Sequence, residues 1–167
     1  MLPLLAREVA GLLITKNLRV RWHVALQSDD LPDPHGCVKM NELIDLVPND
    51  HWIWILDDDN RLADGMIAYL PTLFKNRPEK EAFVFSQIRR DQHGPVLHAS
   101  AENMFAIGCD TAQVVFKKSL VGNDLRMRED SAIADTKFFQ IMYRIAEQKF
   151  LFVDEPEVYF NGRHNPV

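Results

Sequence analysis

His51-Trp52-Ile53-Trp54-Ile55-Leu56 runs without a break into Asp57-Asp58-Asp59-Asn60. A short continuous apolar run rich in aromatic and β-branched residues is the pattern of a strand buried on both faces. Such a strand constrains the fold, because each face needs a covering layer. Three carboxylates follow at its C-terminal end, the place where ligands bind in open α/β sheets. Like charges packed there repel one another unless a cation offsets them. Side-chain direction repeats every two residues along extended chain, so Asp57 and Asp59 can point one way and Asp58 another. Carboxylate oxygens suit hard cations such as Mg²⁺ or Mn²⁺, often shared with phosphates. The segment therefore reads as a metal site beside a phosphate-bearing ligand. The plainer alternative is a solvated acidic turn.

The rest of the chain fits a single α/β domain spanning residues 1–167. Leu4, Leu5, Val9, Leu12 and Leu13 share one helical face, which predicts an amphipathic helix over 3–14. A strand is expected over Leu18–Leu26, and a Pro- and Asp-rich loop over 27–35. Met40, Leu43, Ile44 and Val47 predict a short helix ending before Pro48. Met66, Tyr69, Leu70 and Leu73 predict another, which Pro71 should kink. Ala82–Ile88 is expected to be a strand, with a hairpin returning through Val96–Ala99. Ala112–Phe116 reads as a further strand. Phe138, Ile141, Met142 and Ile145 predict a late helix running on to Gln148, and Phe150–Val153 with Val158–Phe160 a final strand pair. Early alternation of helix and strand argues for parallel strands with crossover helices, and the hairpin for a mixed sheet.

Composition narrows the class of partner. A net charge of -5 argues against a nucleic-acid platform. No stretch reaches the ~20 apolar residues of a membrane span, and the N-terminus lacks the features of a signal peptide. Two cysteines, Cys37 and Cys109, make neither a disulfide framework nor a zinc ribbon, so a reduced cytoplasmic setting is expected.

With these elements in order, the chain resembles the GT-A fold glycosyltransferases, especially the family 2 type. The motifs that carry the resemblance are the buried strand ending in Asp57-Asp58-Asp59, and Gly36 followed by Asn41 ahead of it. Downstream come Asp135 at the start of the late helix, and His164 beyond the return strands. Met40 stands where that family often has a basic residue just before the Asn.

The resemblance implies a GT-A (Rossmann-like) three-layer sandwich with a mixed, mainly parallel sheet, shortened by its first strand. It implies a metal-dependent glycosyltransferase moving a sugar from a nucleotide-diphospho-sugar to a glycan, lipid or protein hydroxyl, with inversion. Mn²⁺ or Mg²⁺ would be held by Asp59 and His164. Asp57, Asp58, Asp30 and Asn41 would face the nucleotide-sugar, with Asp135 as general base and Asp130 as the alternative. Asp110, Thr111 and Gln113 could line the sugar or acceptor side, and a turn explains Asp110 and Thr111 equally well. Asp135 is equally suited to capping its helix.

Two other classes stay open. One is a truncated or degenerate copy that binds nucleotide or a partner without catalysis, with an exposed sheet edge inviting a homodimer. The other is a phosphohydrolase with Asp57 as nucleophile, whose usual continuation after the second Asp is missing here.

Overall fold

A computed structural model describes residues 36–57, 60–63, 65–89, 96–122, 124–128 and 133–160. The elements expected over 3–14, 18–26 and 27–35 lie outside these residues, as do Asp30, Asp58, Asp59, Asp130 and His164.

Four α-helices and six strands are described. Helix α1 is Cys37–Asp45, α2 Met66–Asn76, α3 Ala101–Ala106 and α4 Ala134–Ala146. The strands are β1 Trp52–Trp54, β2 Asn60–Leu62, β3 Ala82–Arg89, β4 Val96–Leu97, β5 Val114–Lys117 and β6 Phe150–Phe160. They form one sheet in the order β1-β5-β3-β6-β2, with β4 also on β3. β3 and β6 run parallel over the longest register, while β1–β5, β3–β5, β2–β6 and β3–β4 are antiparallel. The sheet is mixed as expected. Among the described residues, however, antiparallel pairings outnumber the parallel one.

Strand alternation divides the core into two layers, one on each face of the sheet. Ala82 and Val84 of β3, Val114 and Phe116 of β5, and Ile53 of β1 pack with Ile44 of α1, Met104 of α3, and Phe138, Phe139 and Met142 of α4. Phe83, Phe85 and Val115 face the other way, against Met66, Ile67, Leu70 and Leu73 of α2. The three-layer α/β arrangement follows from this division. β1 obeys the same rule: Ile53 joins the first layer, while Trp52 and Trp54 pack on the second. Trp52 stacks on Phe74 at 4.0 Å with the rings 4° apart. Both tryptophans are therefore partly buried packing residues on one face, as their parity suggests.

Several local expectations change. Ala112 and Gln113 do not begin a strand; Thr111–Gln113 form a 3-10 turn ahead of β5. The reason is Asp110, whose side chain accepts from Ala112 N while Gln113 Oε1 accepts from Asp110 N. That reciprocal cap favours a helical turn over extension. The expected C-terminal strand pair is one strand, β6, whose register against β3 shifts around Ser86, with Asp154–Glu155 and Glu157 left over. α2 continues through Pro71. α4 buries Phe138, Phe139 and Met142, but Ile141 and Ile145 face solvent. The helix gives way to a 3-10 turn at Glu147–Lys149 instead of continuing to Gln148. Helix α3 was not legible as an apolar stripe; it is started by Ser100, whose hydroxyl accepts from Asn103 N at 3.0 Å.

Candidate functional site

The C-terminal end of β1 and the N-terminal end of α4 meet at a common segment, Gly108–Gln113. Each end is tied to it by hydrogen bonds. From the β1 side, Trp54 Nε1 donates to Ala112 O at 2.7 Å, and Thr111 Oγ1 donates to Asp57 Oδ2 at 3.3 Å. From the α4 side, Thr136 Oγ1 accepts from Cys109 N at 3.1 Å and donates to Cys109 O at 3.2 Å. Gln113 Nε2 donates to Phe85 O at 3.1 Å, anchoring the segment to β3 as well.

Gly108 makes the α4 approach possible. Its φ is +110°, a conformation open to glycine, and a Cβ there would stand 2.8 Å from Thr136 Oγ1.

This scaffold gathers three carboxylates, those of Asp57, Asp110 and Asp135. Asp110 is committed to its cap. Asp57 is exposed at the strand end, and its main-chain carbonyl accepts from Asn60 N at 3.1 Å, turning the chain. Asp135 is half-buried in the first turn of α4. Burial pushes its carboxyl above the ordinary aspartate range, and the negative charges of Asp110 and Asp57 push the same way. The Thr136 N–H, 2.7 Å from Asp135 Oδ1, opposes part of this rise. Asp135 is thus not the N-cap of its helix: Ile133 holds that position, and the carboxylate bonds the adjacent amide. Asp57 and Asp135 are thus both tied to the Gly108–Gln113 segment, the first through Thr111 and the second through its neighbour Thr136.

Cys109 lies inside this scaffold, buried, and desolvation followed by Asp110 and Asp135 pushes its thiol well above the usual range. Such a thiol is protonated and inert.

Asn41 has a different setting. It lies inside α1, four residues after the helix begins behind Gly36, whose φ is +66°. Its Nδ2 donates to Met127 O at 2.9 Å and its Oδ1 accepts from Met127 N at 3.0 Å. Both ends of the amide clasp the chain at Met127. Asp110, Thr111 and Gln113, thought to line a ligand site, build the support beneath it. The residues missed by sequence reasoning are Gly108 and Thr136. The signal for the turn was present as Asp110-x-x-Gln113, the spacing of a capping box.

Asp57 is exposed, and a carboxylate suits a hard cation. Among the described residues, no group of three His, Cys, Asp or Glu side chains is placed to hold a metal ion. The expected ligands Asp59 and His164 lie outside the described residues. Among the described residues, too, no helix is long and apolar enough to cross a membrane.

No protein-family model matches the sequence, and no curated protein matches it. The structure is similar to the crystal structure of residues 1–349 of TarS from S. aureus, with a TM-score of 0.56 and 13% identity. The likeness covers 93% of this chain and 47% of that one, so the chain spans about half the length of TarS 1–349. At this identity the likeness establishes a shared fold.

Proposed function

We propose that this chain is a metal-dependent glycosyltransferase domain, which moves a sugar from a nucleotide-diphospho-sugar to a hydroxyl acceptor with inversion. The observation that carries this reading is the meeting of Asp57 and Asp135 on the Gly108–Gln113 support. One carboxylate stands exposed at a strand end; the other is half-buried at a helix start, with its proton affinity raised. The likeness to TarS, a glycosyltransferase, supports the same reading.

The two carboxylates suit different tasks. Asp57, with Asp58, would contact the nucleotide-sugar at the strand end, and Asp59 with His164 would hold Mn²⁺ or Mg²⁺. A bound divalent cation supplies charge neutralisation at the diphosphate leaving group, the main demand of this chemistry. Asp135 would take the acceptor hydroxyl proton. A base works best when its pKa approaches the working pH, and burial plus two neighbouring negative charges move Asp135 that way. Asp130 is the alternative base. Asp30 would face the nucleotide base, and Asn41 would act by holding the Met127 segment. The acceptor is a glycan, lipid or protein hydroxyl.

The test is calorimetric titration of UDP and GDP into the 167-residue chain, with Mn²⁺ and then with EDTA, alongside Asp59→Asn. Saturable binding that needs the metal and is lost in the variant is the expected result. Binding unaffected by EDTA would remove the cation from the mechanism. Binding without sugar transfer to any acceptor hydroxyl, including water, would leave a nucleotide-binding domain in place of an enzyme.

A further inference from the structure

At the opposite end of β1 from Asp57, the loop over residues 48–51 meets the 3-10 turn Lys118–Leu120 that follows β5. Lys118 N donates to His51 O at 2.9 Å, and Ser119 N to Asn49 O at 3.2 Å. An open cleft of about 450 Å³ lies there, lined by Asp45, Val47, Pro48, Asn49, Lys118 and Arg126. Lys118 is 3% exposed, and its Nζ donates to Gly122 O at 2.9 Å. Its ion-pair partner, Asp45 Oδ1, is 3.8 Å away, beyond hydrogen-bond reach. The same oxygen accepts from Arg126 Nη2 at 2.9 Å. Two positive charges thus share one carboxylate oxygen. An ammonium has three protons to give, and a buried charge is costly unless it is both paired and hydrogen-bonded. The carbonyls around the cleft are engaged: Leu43 O and Ile44 O accept from Leu46 N and Val47 N, and Asn49 O and His51 O from the turn. Asp50, next along the loop, is bonded to His51 Nδ1 at 2.8 Å. What the cleft keeps is donor capacity and an excess of positive charge.

We propose that this cleft binds a phosphate-type oxyanion, with the Lys118 ammonium and the Arg126 guanidinium as its donors. The site stands apart from the nucleotide-sugar site proposed for Asp57 and does not depend on it. A guanidinium presents a planar fork of N–H groups that matches phosphate oxygens, and a lysine supplies a compact point charge beside it. Arg126 is only partly buried and spends two of its N–H groups, on Leu125 O and Asp45. Asp45 holds the two cations together and competes with the incoming anion for them. A free phosphate group and a phospholipid headgroup carry the same chemistry.

The test titrates inorganic phosphate into the full chain at constant ionic strength, with chloride as the balancing anion and EDTA present. The amides of Asn49 and Gly122 are followed by two-dimensional NMR, which reads this cleft alone. Saturable shifts at both amides are the expected result. Lys118→Met and Arg126→Ala should each weaken the affinity roughly tenfold, as loss of a hydrogen bond to a charged group does. Asp45→Asn should tighten it, because the competing charge is gone while both cations stay. Lys75→Met removes an exposed lysine of α2 and should leave it unchanged. The proposal is overturned by the absence of saturable shifts, by an affinity that Lys118→Met or Arg126→Ala leaves unchanged, by weaker binding in Asp45→Asn, or by an equal loss in Lys75→Met. If thermal melting shows Lys118→Met unfolded, the Arg126 and Asp45 variants decide. Vesicles of phosphatidylcholine with and without phosphatidic acid then separate the two sources. Sedimentation with the acidic vesicles that Arg126→Ala weakens identifies a lipid headgroup, and phosphate binding without sedimentation a free phosphate group.

Discussion

Gly108→Ala should be among the most damaging small changes in this protein, and its effect can be worked out from two contacts. The added methyl must sit at φ +110°, a region that L-residues rarely adopt, and it meets Thr136 Oγ1 at 2.8 Å. Backbone strain of this kind costs about 1–3 kcal/mol. Moving Thr136 aside breaks its bonds to Cys109 N and Cys109 O, and leaving such groups without partners costs about 1–3 kcal/mol more. The expected loss is therefore ~2–6 kcal/mol, a large part of the total stability of a typical domain. Urea unfolding followed by fluorescence of the three tryptophans measures it. The mechanism is tested by a double-mutant cycle with Thr136→Ala. That change alone should cost about 1–3 kcal/mol, because it breaks the same two bonds. In the double variant the clash is gone and the bonds are lost only once. The combined loss should then fall short of the sum by roughly the hydrogen-bond component, since contacting sites are not additive. A near-neutral Gly108→Ala would refute the reasoning, and so would strict additivity.

Asp135→Asn should stabilise the fold near neutral pH. The folded state holds the Asp135 proton more tightly than the unfolded chain does, because burial, Asp110 and Asp57 raise its carboxyl. The folded state therefore loses stability as pH rises from the ordinary aspartate value of about 3.9 through the raised folded value. The amide variant escapes this loss, so urea midpoints should favour it at pH 7 and converge with the parent below the ordinary aspartate range. A parent more stable than the variant at neutral pH would contradict the burial argument. Asn41→Leu removes both bonds to Met127. It should cost about 1–3 kcal/mol, and amide hydrogen exchange at Met127 should accelerate while exchange in β3 changes far less.

What the sequence shows of this fold depends on how local each cause is. The buried strand at Trp52–Trp54 was legible because its apolar run and the alternation of Ile53 against its tryptophans are properties of adjacent residues. α4 was legible as a helix, since Phe138 and Met142 mark its buried face. Its solvent side was not, because Ile141 and Ile145 have the same apolarity as core residues and only the placement of the sheet distinguishes them. Ala112 and Gln113 looked like the start of a strand because they adjoin Val114 and Val115. The deciding influence was the side chain of Asp110, whose cap outweighs the propensity of a short apolar run. The candidate site was visible residue by residue as Asp57 and Asp135. The support joining them was not, because it depends on a glycine conformation, a threonine hydroxyl and a turn that meet only in the folded chain.

That support also explains why the site tolerates charges that oppose one another. Asp110 raises the proton affinity of Asp135, yet the same side chain closes the turn that carries Thr111 to Asp57. Removing its charge would relieve Asp135, and removing its oxygen would open the turn. Asp110→Asn separates these effects, because an amide oxygen can still accept from Ala112 N while the charge is gone. If Asp110 served the fold alone, this change would be neutral or stabilising and a fold-only selection would have no use for the carboxylate. If the carboxylate matters to the chemistry, sugar transfer in Asp110→Asn should keep its nucleotide affinity, while the rise of kcat/KM with pH moves to lower pH. The raised carboxyl of Asp135 and the closed turn beside Asp57 are then two consequences of one side chain. A pH profile that stays in place would separate Asp110 from the base and leave it a structural cap.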